Sequence, residues 1–129
     1  MKKIKFKNEF WCIVTARKNS KSIKRKNTVK IKGKELIKFS FDEITKLKKI
    51  VKKTIVTTDD PIIKKISKKY KFKIFHREDK LSGDLINSVD VVKDVLKKSV
   101  ETYGYLPKFF FLIQPTSIFL KSEHINKLI

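Results

Sequence analysis

Apolar and polar positions along this chain switch repeatedly between a strand-like and a helix-like spacing. Phe10 to Val14 is an apolar run long enough for one buried strand. It gives way abruptly to a segment in which Arg17, Lys18, Lys21, Lys24, Arg25 and Lys26 surround Asn19, Ser20 and Ser22. Val29 to Ile31 reads as a short extended piece turning at Gly33. From Glu35 the period changes, and Leu36, Ile37, Phe41, Ile44, Leu47 and Val51 fall on roughly one face of a helix. Thr54 to Thr57 is a β-branched strand. Asp60-Pro61 then reads as an N-cap followed by a first-turn proline, opening a helix whose buried stripe is Ile62, Ile63, Ile66 and Tyr70. Phe72 to Phe75 predicts a third strand, and His76 to Asn87, with Ser82-Gly83-Asp84 as turn chemistry, predicts a loop. Val89, Val92, Leu96 and Val100 mark a longer helix closing near Gly104. Phe109 to Ile113 is an entirely apolar fourth strand, and Ser122 is placed to cap a last helix through Leu128.

Alternation of strands and helices, with strands that are nearly all apolar, predicts an α/β fold. Its Rossmann-like, mostly parallel sheet carries helices on both faces and right-handed crossovers. In such a sheet the loops after the carboxyl ends of the strands converge on one rim, which gathers segments 17–27, 58–60, 76–88 and 114–120. At 129 residues and 40% hydrophobic content the chain is read as one domain with a modest core. No repeat, linker or membrane-length apolar run is present, and the basic N-terminus lacks a cleavage site, so a soluble cytoplasmic protein with no membrane partner is expected. Cys12 is the only cysteine. Its place inside an apolar strand predicts a buried thiol in a reducing compartment.

The net charge of +20 changes the picture less than its size suggests. A basic surface of that strength attracts polyanions, and a small basic nucleic-acid-binding protein is one reading it leaves open. Arg17, Arg25 and Arg77 are the only arginines, however, and specific nucleic-acid contacts favour the planar fork of arginine over lysine. Aromatic residues do not alternate with the cations as a stacking platform requires. Lysine among many isoleucines and phenylalanines also fits a genome biased toward A and T codons. No specific nucleic-acid partner is therefore expected. Cations clustered at the carboxyl end of a strand, where open α/β sheets take ligands, instead point to a phosphate chain held by backbone N–H groups and lysine. The segment contains no glycine and no Gly-Lys-Ser/Thr, so it is not a Walker loop. By itself a charge run is also what a solvated loop looks like.

Order and spacing of short motifs carry the sharper reading. Ala16-Arg17-Lys18-Asn19-Ser20-Lys21-Ser22 with Lys26-Asn27 resembles the signature loop of the CMP-N-acylneuraminate cytidylyltransferases, A-R-x-G-S-K-G-x-x-x-K-N. Asn19 and Ser22 stand where that family has glycines, and Thr15 where it has proline. Thr57-Thr58-Asp59 resembles the family's Ser-Thr-Asp. His76-Arg77-Glu78 resembles its Arg-Pro segment, and Asp84 to Asp90 resembles D-x-A-S-S-x-D with Asp84, Ser88 and Asp90 matching. Ile113-Gln114-Pro115-Thr116-Ser117 resembles L-Q-P-T-S-P, and a polar Gln114 directly after an apolar strand has little structural purpose.

That resemblance implies a fold of the nucleotide-diphospho-sugar transferase type. It also implies a reaction in which CTP and an acidic nine-carbon sugar give a CMP-sugar and pyrophosphate. Arg17 and Lys21 would bind the phosphates and offset charge on the leaving pyrophosphate, as the catalytic pair. Ser20, Lys26 and Asn27 would shape the loop around base, ribose and phosphates. Arg77 and Ser88 would lie at the cytosine, and Gln114 at the sugar side of the cleft. His76 and His124 lack an evident partner and read as a strand-end and a surface-helix residue. The family implies Mg2+, for which no ligand set is identifiable in the sequence. The resemblance covers the nucleotide-binding half of the family's fold and then stops. This leaves a truncated, inactive CTP-binding homologue as an alternative, and a homodimer or a complementing C-terminal polypeptide as further partners.

Overall fold

Four parallel strands carry the fold, in a computed structural model that describes residues 3–16, 30–77 and 88–114. The elements run β1 (Lys5–Ala16), β2 (Lys30–Ile31), β3 (Lys34–Glu35), α1 (Leu36–Thr45), β4 (Val51–Thr58), α2 (Pro61–Lys69), β5 (Lys73–His76), α3 (Ser88–Tyr103) and β6 (Tyr105–Ile113). The main sheet has the order β5-β4-β1-β6, and every pairing in it is parallel. β2 and β3 form a separate antiparallel hairpin. Its two turn residues, Lys32 and Gly33, both have positive φ (53° and 79°), as a two-residue hairpin with the right twist requires. The α/β parallel architecture anticipated from the alternating periods is the one observed.

Each face of the sheet has its own core, because successive residues of a strand point to opposite sides. Cys12, Val14 and Ala16 of β1 join Val56 of β4 under Ile37, Phe41 and Ile44 of α1 and Ile63 and Ile66 of α2. Trp11 and Ile13 of β1 join Ile55 of β4 and Val95 of α3 in a second cluster. Phe41 meets Tyr70 and Phe72 edge-on, at centroid distances of 5.2 and 4.9 Å, and these contacts close the α1–α2 layer. On that same layer the Tyr70 hydroxyl donates to Asp42 Oδ1 at 2.6 Å, while Lys34 of the hairpin pairs with the other carboxylate oxygen. Two crossovers moving one way from β1 and a third jumping back past it place α1 and α2 on one face and α3 on the other. This is the right-handed rule at work.

Several boundaries differ from those read off the sequence. β1 begins five residues before Phe10, because Lys5 to Lys7 find partners in Tyr105 to Pro107 of β6. α1 ends at Thr45, and Val51 opens β4 instead of closing the helix. The Thr45 hydroxyl donates back to Phe41 O at 2.8 Å, and three-residue turns then carry the chain to Val51, with Leu47 still buried. Ile62 lies off the α2 stripe and is exposed, whereas Ile63 and Ile66 are buried as anticipated. In α3 the buried positions are Val91, Val95 and Ser99; Val89 is exposed, and Val92, Leu96 and Val100 sit half-buried beside the stripe.

β6 is the largest departure. Phe109, Phe110 and Leu112 are 50%, 38% and 40% exposed, so the strand is not covered on both faces among the described residues. It forms an edge of the described sheet, and α3 packs against both β6 and β1. The helix anticipated over 122–128 lies outside the described residues.

Candidate functional site

Parallel register brings the carboxyl ends of the strands into one row. Ala16 of β1 stands beside Thr58 of β4, and Thr58 stands beside His76 of β5. Val14 faces Ile113 on the other side, so Gln114 leaves β6 next to the point where the chain leaves β1. The strand order reverses between β1 and β6, since β1 connects toward β4 while β6 is reached from the opposite face. A crevice at such a reversal, outside the carboxyl ends, is where open α/β sheets take ligands. The amino ends of α2 and α3 point at this rim and carry the positive end of their dipoles toward it.

The local chemistry holds the rim in shape. The Arg77 N–H donates to Thr58 O at 2.9 Å, extending the β4–β5 ladder by one residue and fixing where the arginine starts. Arg77 itself is only 6% exposed. Asp60 is fully buried and caps α2, its Oδ1 accepting from the Ile62 N–H at 2.9 Å while its own N–H donates to Thr58 Oγ1 at 3.0 Å. Pro61 occupies the first helical position, where no N–H is needed. Asp59 is half-buried between strand and cap. Thr57 lies one residue inside the rim, and its buried hydroxyl has no hydrogen-bond partner.

The residues anticipated from the sequence divide into two groups. Arg17, Ser20, Lys21, Lys26 and Asn27 lie outside the described residues, as do His124 and Glu78. Arg77, Ser88 and Gln114 are described. Arg77 directly follows β5, Ser88 is the first residue of α3, and Gln114 is exposed directly after β6. The topology brings all three to the same end of the sheet. His76 does end a strand, but it is not partnerless. Its Nδ1 lies 2.8 Å from Lys64 Nζ, and its carbonyl accepts from Lys98 Nζ at 2.7 Å. Thr57-Thr58-Asp59 was readable as a strand end leading into a helix cap, and the Thr58 hydroxyl does hold the Asp60 turn.

Magnesium prefers one or two carboxylates together with substrate oxygens and water. Among the described residues no three His, Cys, Asp or Glu side chains gather in a way that could hold a metal ion. Asp60 is occupied by its cap, and Asp59, just past the end of β4, is half-buried beside it. The described donor set is therefore not a metal cage. No helix among the described residues is long and apolar enough to cross a membrane.

Comparison with known proteins agrees with this geometry. A family model described as Cytidylyltransferase matches residues 11–129. Comparison with curated protein sequences returns no match. Among solved structures, the chain resembles CMP:2-keto-3-deoxy-manno-octonic acid synthetase complexed with CTP (TM-score 0.72, 17% identity), covering 93% of this chain and 45% of that one. It resembles a cytidylyltransferase from Leptospira borgpetersenii serovar Hardjo-bovis (TM-score 0.67, 15% identity) over 92% of this chain and 46% of that one. It also resembles 4-diphosphocytidyl-2C-methyl-D-erythritol synthase (TM-score 0.71, 16% identity) over 95% of this chain and 54% of that one. The chain thus spans about half the length of these neighbours.

Proposed function

The chain belongs to the cytidylyltransferase family, and from that premise we propose that residues 1–129 form one nucleotide-binding domain that takes CTP at the β1/β6 crevice for transfer of CMP to an acidic sugar. The observation that carries this reading is the register. The basic segment 17–27 starts at Ala16, and Gln114 starts beyond Ile113, on the two sides of one switch point. In this reading Arg17 and Lys21 neutralise the triphosphate and the departing pyrophosphate. Ser20, Lys26 and Asn27 wrap the nucleotide, Arg77 and Ser88 serve the base, and Gln114 faces the acceptor. Nucleotidyl transfer leaves little covalent work to the protein, so positioning and charge stabilisation are what these groups contribute. A magnesium ion would neutralise phosphate charge when bound, and nucleotide oxygens would supply most of its ligands.

The acceptor we infer is a nonulosonic, sialic-acid-like sugar. Support comes from the loop Arg17 to Asn27 and the Gln114-Pro115-Thr116-Ser117 tetrad, which resemble the acylneuraminate branch. The solved neighbours carry other names, one for an octonic acid synthetase and one for an erythritol synthase. Coverage of about half of each neighbour favours a second reading, in which these residues bind CTP without completing turnover.

Calorimetric titration separates the readings. CTP is expected to bind in preference to ATP, and Lys21→Ala to abolish the preference. Equal affinities untouched by Lys21→Ala would overturn the site. Pyrophosphate release with N-acetylneuraminate, the octonic acid and methylerythritol phosphate as acceptors then ranks the sugars. Lys21-dependent release by the 129-residue chain would reject the binding-only reading.

A further inference from the structure

At the end of the sheet opposite the crevice, β1 outruns its neighbour β4. Pairing with β4 starts only at Phe10, whereas pairing with β6 starts at Lys5. Residues 5–8 and 105–108 therefore project as a two-stranded ribbon about 13 Å long. Along the ribbon and the two residues that precede it, side chains alternate in kind. Lys3, Lys5 and Lys7 are exposed, and between them Ile4 and Phe6 are 50% and 58% exposed. Lys48, Lys49 and Lys52, in the turn before β4 and at its start, are exposed at the same end. The carboxylates there are few. Glu9 is engaged by Trp11 Nε1 and the Tyr105 hydroxyl, each at 3.0 Å, and Glu101 is exposed near the end of α3. Lys7 and Lys52 both act on the Glu9 carboxyl, which places them on one patch.

Beside the ribbon an open cavity of about 340 Å³ is lined by Ile4, Leu96, Val100 and Leu106, with Lys97 and Glu101 at its edge. Apolar side chains at the end of a ribbon whose opposite face carries Lys5 and Lys7, next to an aliphatic hollow, suit one kind of surface. A bilayer with anionic headgroups offers charge to the lysines and hydrocarbon to Phe6, Ile4 and the hollow. Nucleic acid offers the charge but nothing aliphatic, and the patch contains no arginine. A second copy of the chain, at net charge +20, is repelled.

We propose that the Lys3–Lys7 ribbon and the cavity beside it dock this protein peripherally on an anionic phospholipid surface. Such docking needs no membrane-spanning run, so it departs from the expectation of no membrane partner without requiring a span. The carboxyl rim lies at the far end of β1, six residues and about 20 Å beyond Phe10, away from the docked end.

Co-sedimentation with vesicles tests this, using phosphatidylcholine alone against phosphatidylcholine mixed with phosphatidylglycerol. Binding is expected only to the mixed vesicles. Phe6→Ser is expected to weaken it about tenfold, Ile4→Ser to act in the same direction, and Lys5→Gln with Lys7→Gln to weaken it about thirtyfold. Trp11 is fully buried, so its emission reports that each variant is folded. Absence of binding to the mixed vesicles overturns the proposal. Binding that neither Phe6→Ser nor Ile4→Ser weakens overturns it too, since that would be adsorption by charge alone. When single-stranded RNA is offered at equal phosphate concentration, retention on the vesicles supports the proposal and transfer to RNA overturns it.

Discussion

Replacing Asp60 with alanine probes the joint between fold and crevice. Asp60 ends the β4 turn and caps α2, with one oxygen 2.9 Å from the Ile62 N–H and its own N–H 3.0 Å from Thr58 Oγ1. Alanine removes the acceptor but leaves the backbone N–H bond to Thr58 intact. Loss of such a cap costs about 1–2 kcal/mol. The complete burial of the carboxylate argues for the upper half of that range, since no water replaces it at the Ile62 N–H. Unfolding entropy near 2.1 cal/mol/K per residue gives roughly 0.27 kcal/mol/K for a chain of this length. Asp60→Ala is therefore expected to lower Tm by about 6–7 °C, whereas Asp60→Asn, which keeps an acceptor in place, should cost less than about 0.5 kcal/mol. Urea and thermal melts followed by far-ultraviolet circular dichroism measure both. An alanine variant within about 0.5 kcal/mol of the parent would refute the cap as a stabilising contact. An asparagine variant as damaged as alanine would show that the charge, and not the hydrogen bond, is what matters there.

Glu9 makes stability pH-dependent. Burial works to raise its pKa, but hydrogen bonds from Trp11 and Tyr105, with Lys7 and Lys52 nearby, outweigh burial and hold it below its ordinary value of 4.5. A depressed acid stabilises the fold above its unfolded pKa, and that contribution fades as pH falls through the folded one. Denaturant melts in progressively more acid buffer should therefore show the parent losing stability faster than Glu9→Gln; parallel curves would contradict this. Burial pushes the Cys12 thiol up to about 12, so a disulfide reagent should label it only at the rate at which β1 opens, and immediate labelling of native protein would be the contrary result. Lys71 sits at φ 62° just past the end of α2, with the Phe72 N–H donating to Ser67 O at 3.1 Å in a left-handed helix stop. Lys71→Gly should raise stability by about 0.5–1 kcal/mol in urea melts, and a loss would show that the lysine side chain contributes more than its backbone costs.

Elements signalled by local chemistry were legible in the sequence, and those decided by partners were not. Asp60-Pro61 signals the opening of a helix, Gly33 a turn, and Gly104, with φ 81°, ends α3 where it was anticipated. The phase of α3 was missed because Val89, Val91 and Val92 crowd together and fit two stripes equally well. The position that decides between them is a serine. Ser99 is fully buried, its hydroxyl donating to Val95 O at 2.7 Å, and Ser67 does the same to Ile63 O on α2. A hydroxyl that satisfies itself on the preceding turn can face a core, so a pattern scored as apolar or polar misreads it. The length of β1 was hidden for another reason. Lys5, Lys7 and Asn8 look like a solvated tail, and only the partner strand 100 residues later makes them a ladder.

For the site, sequence and structure contribute different halves of the argument. Motif spacing proposes which residue types meet a nucleotide, and the parallel register decides whether the segments bearing them can meet at all. Ala16 beside Thr58, Thr58 beside His76, and Val14 facing Ile113 show that the strands preceding those segments end in one row. The same register also gives the lysine excess a shape. Codon bias can account for why the cations are lysine, but not for where a parallel sheet puts them. Segment 17–27 must emerge at the carboxyl end of β1, and Lys3, Lys5 and Lys7 must emerge at its amino end, because one 12-residue strand joins them. If the proposed nucleotide site and the proposed docking surface both hold, they lie at opposite ends of β1, and ionic strength should act on the two as separable effects.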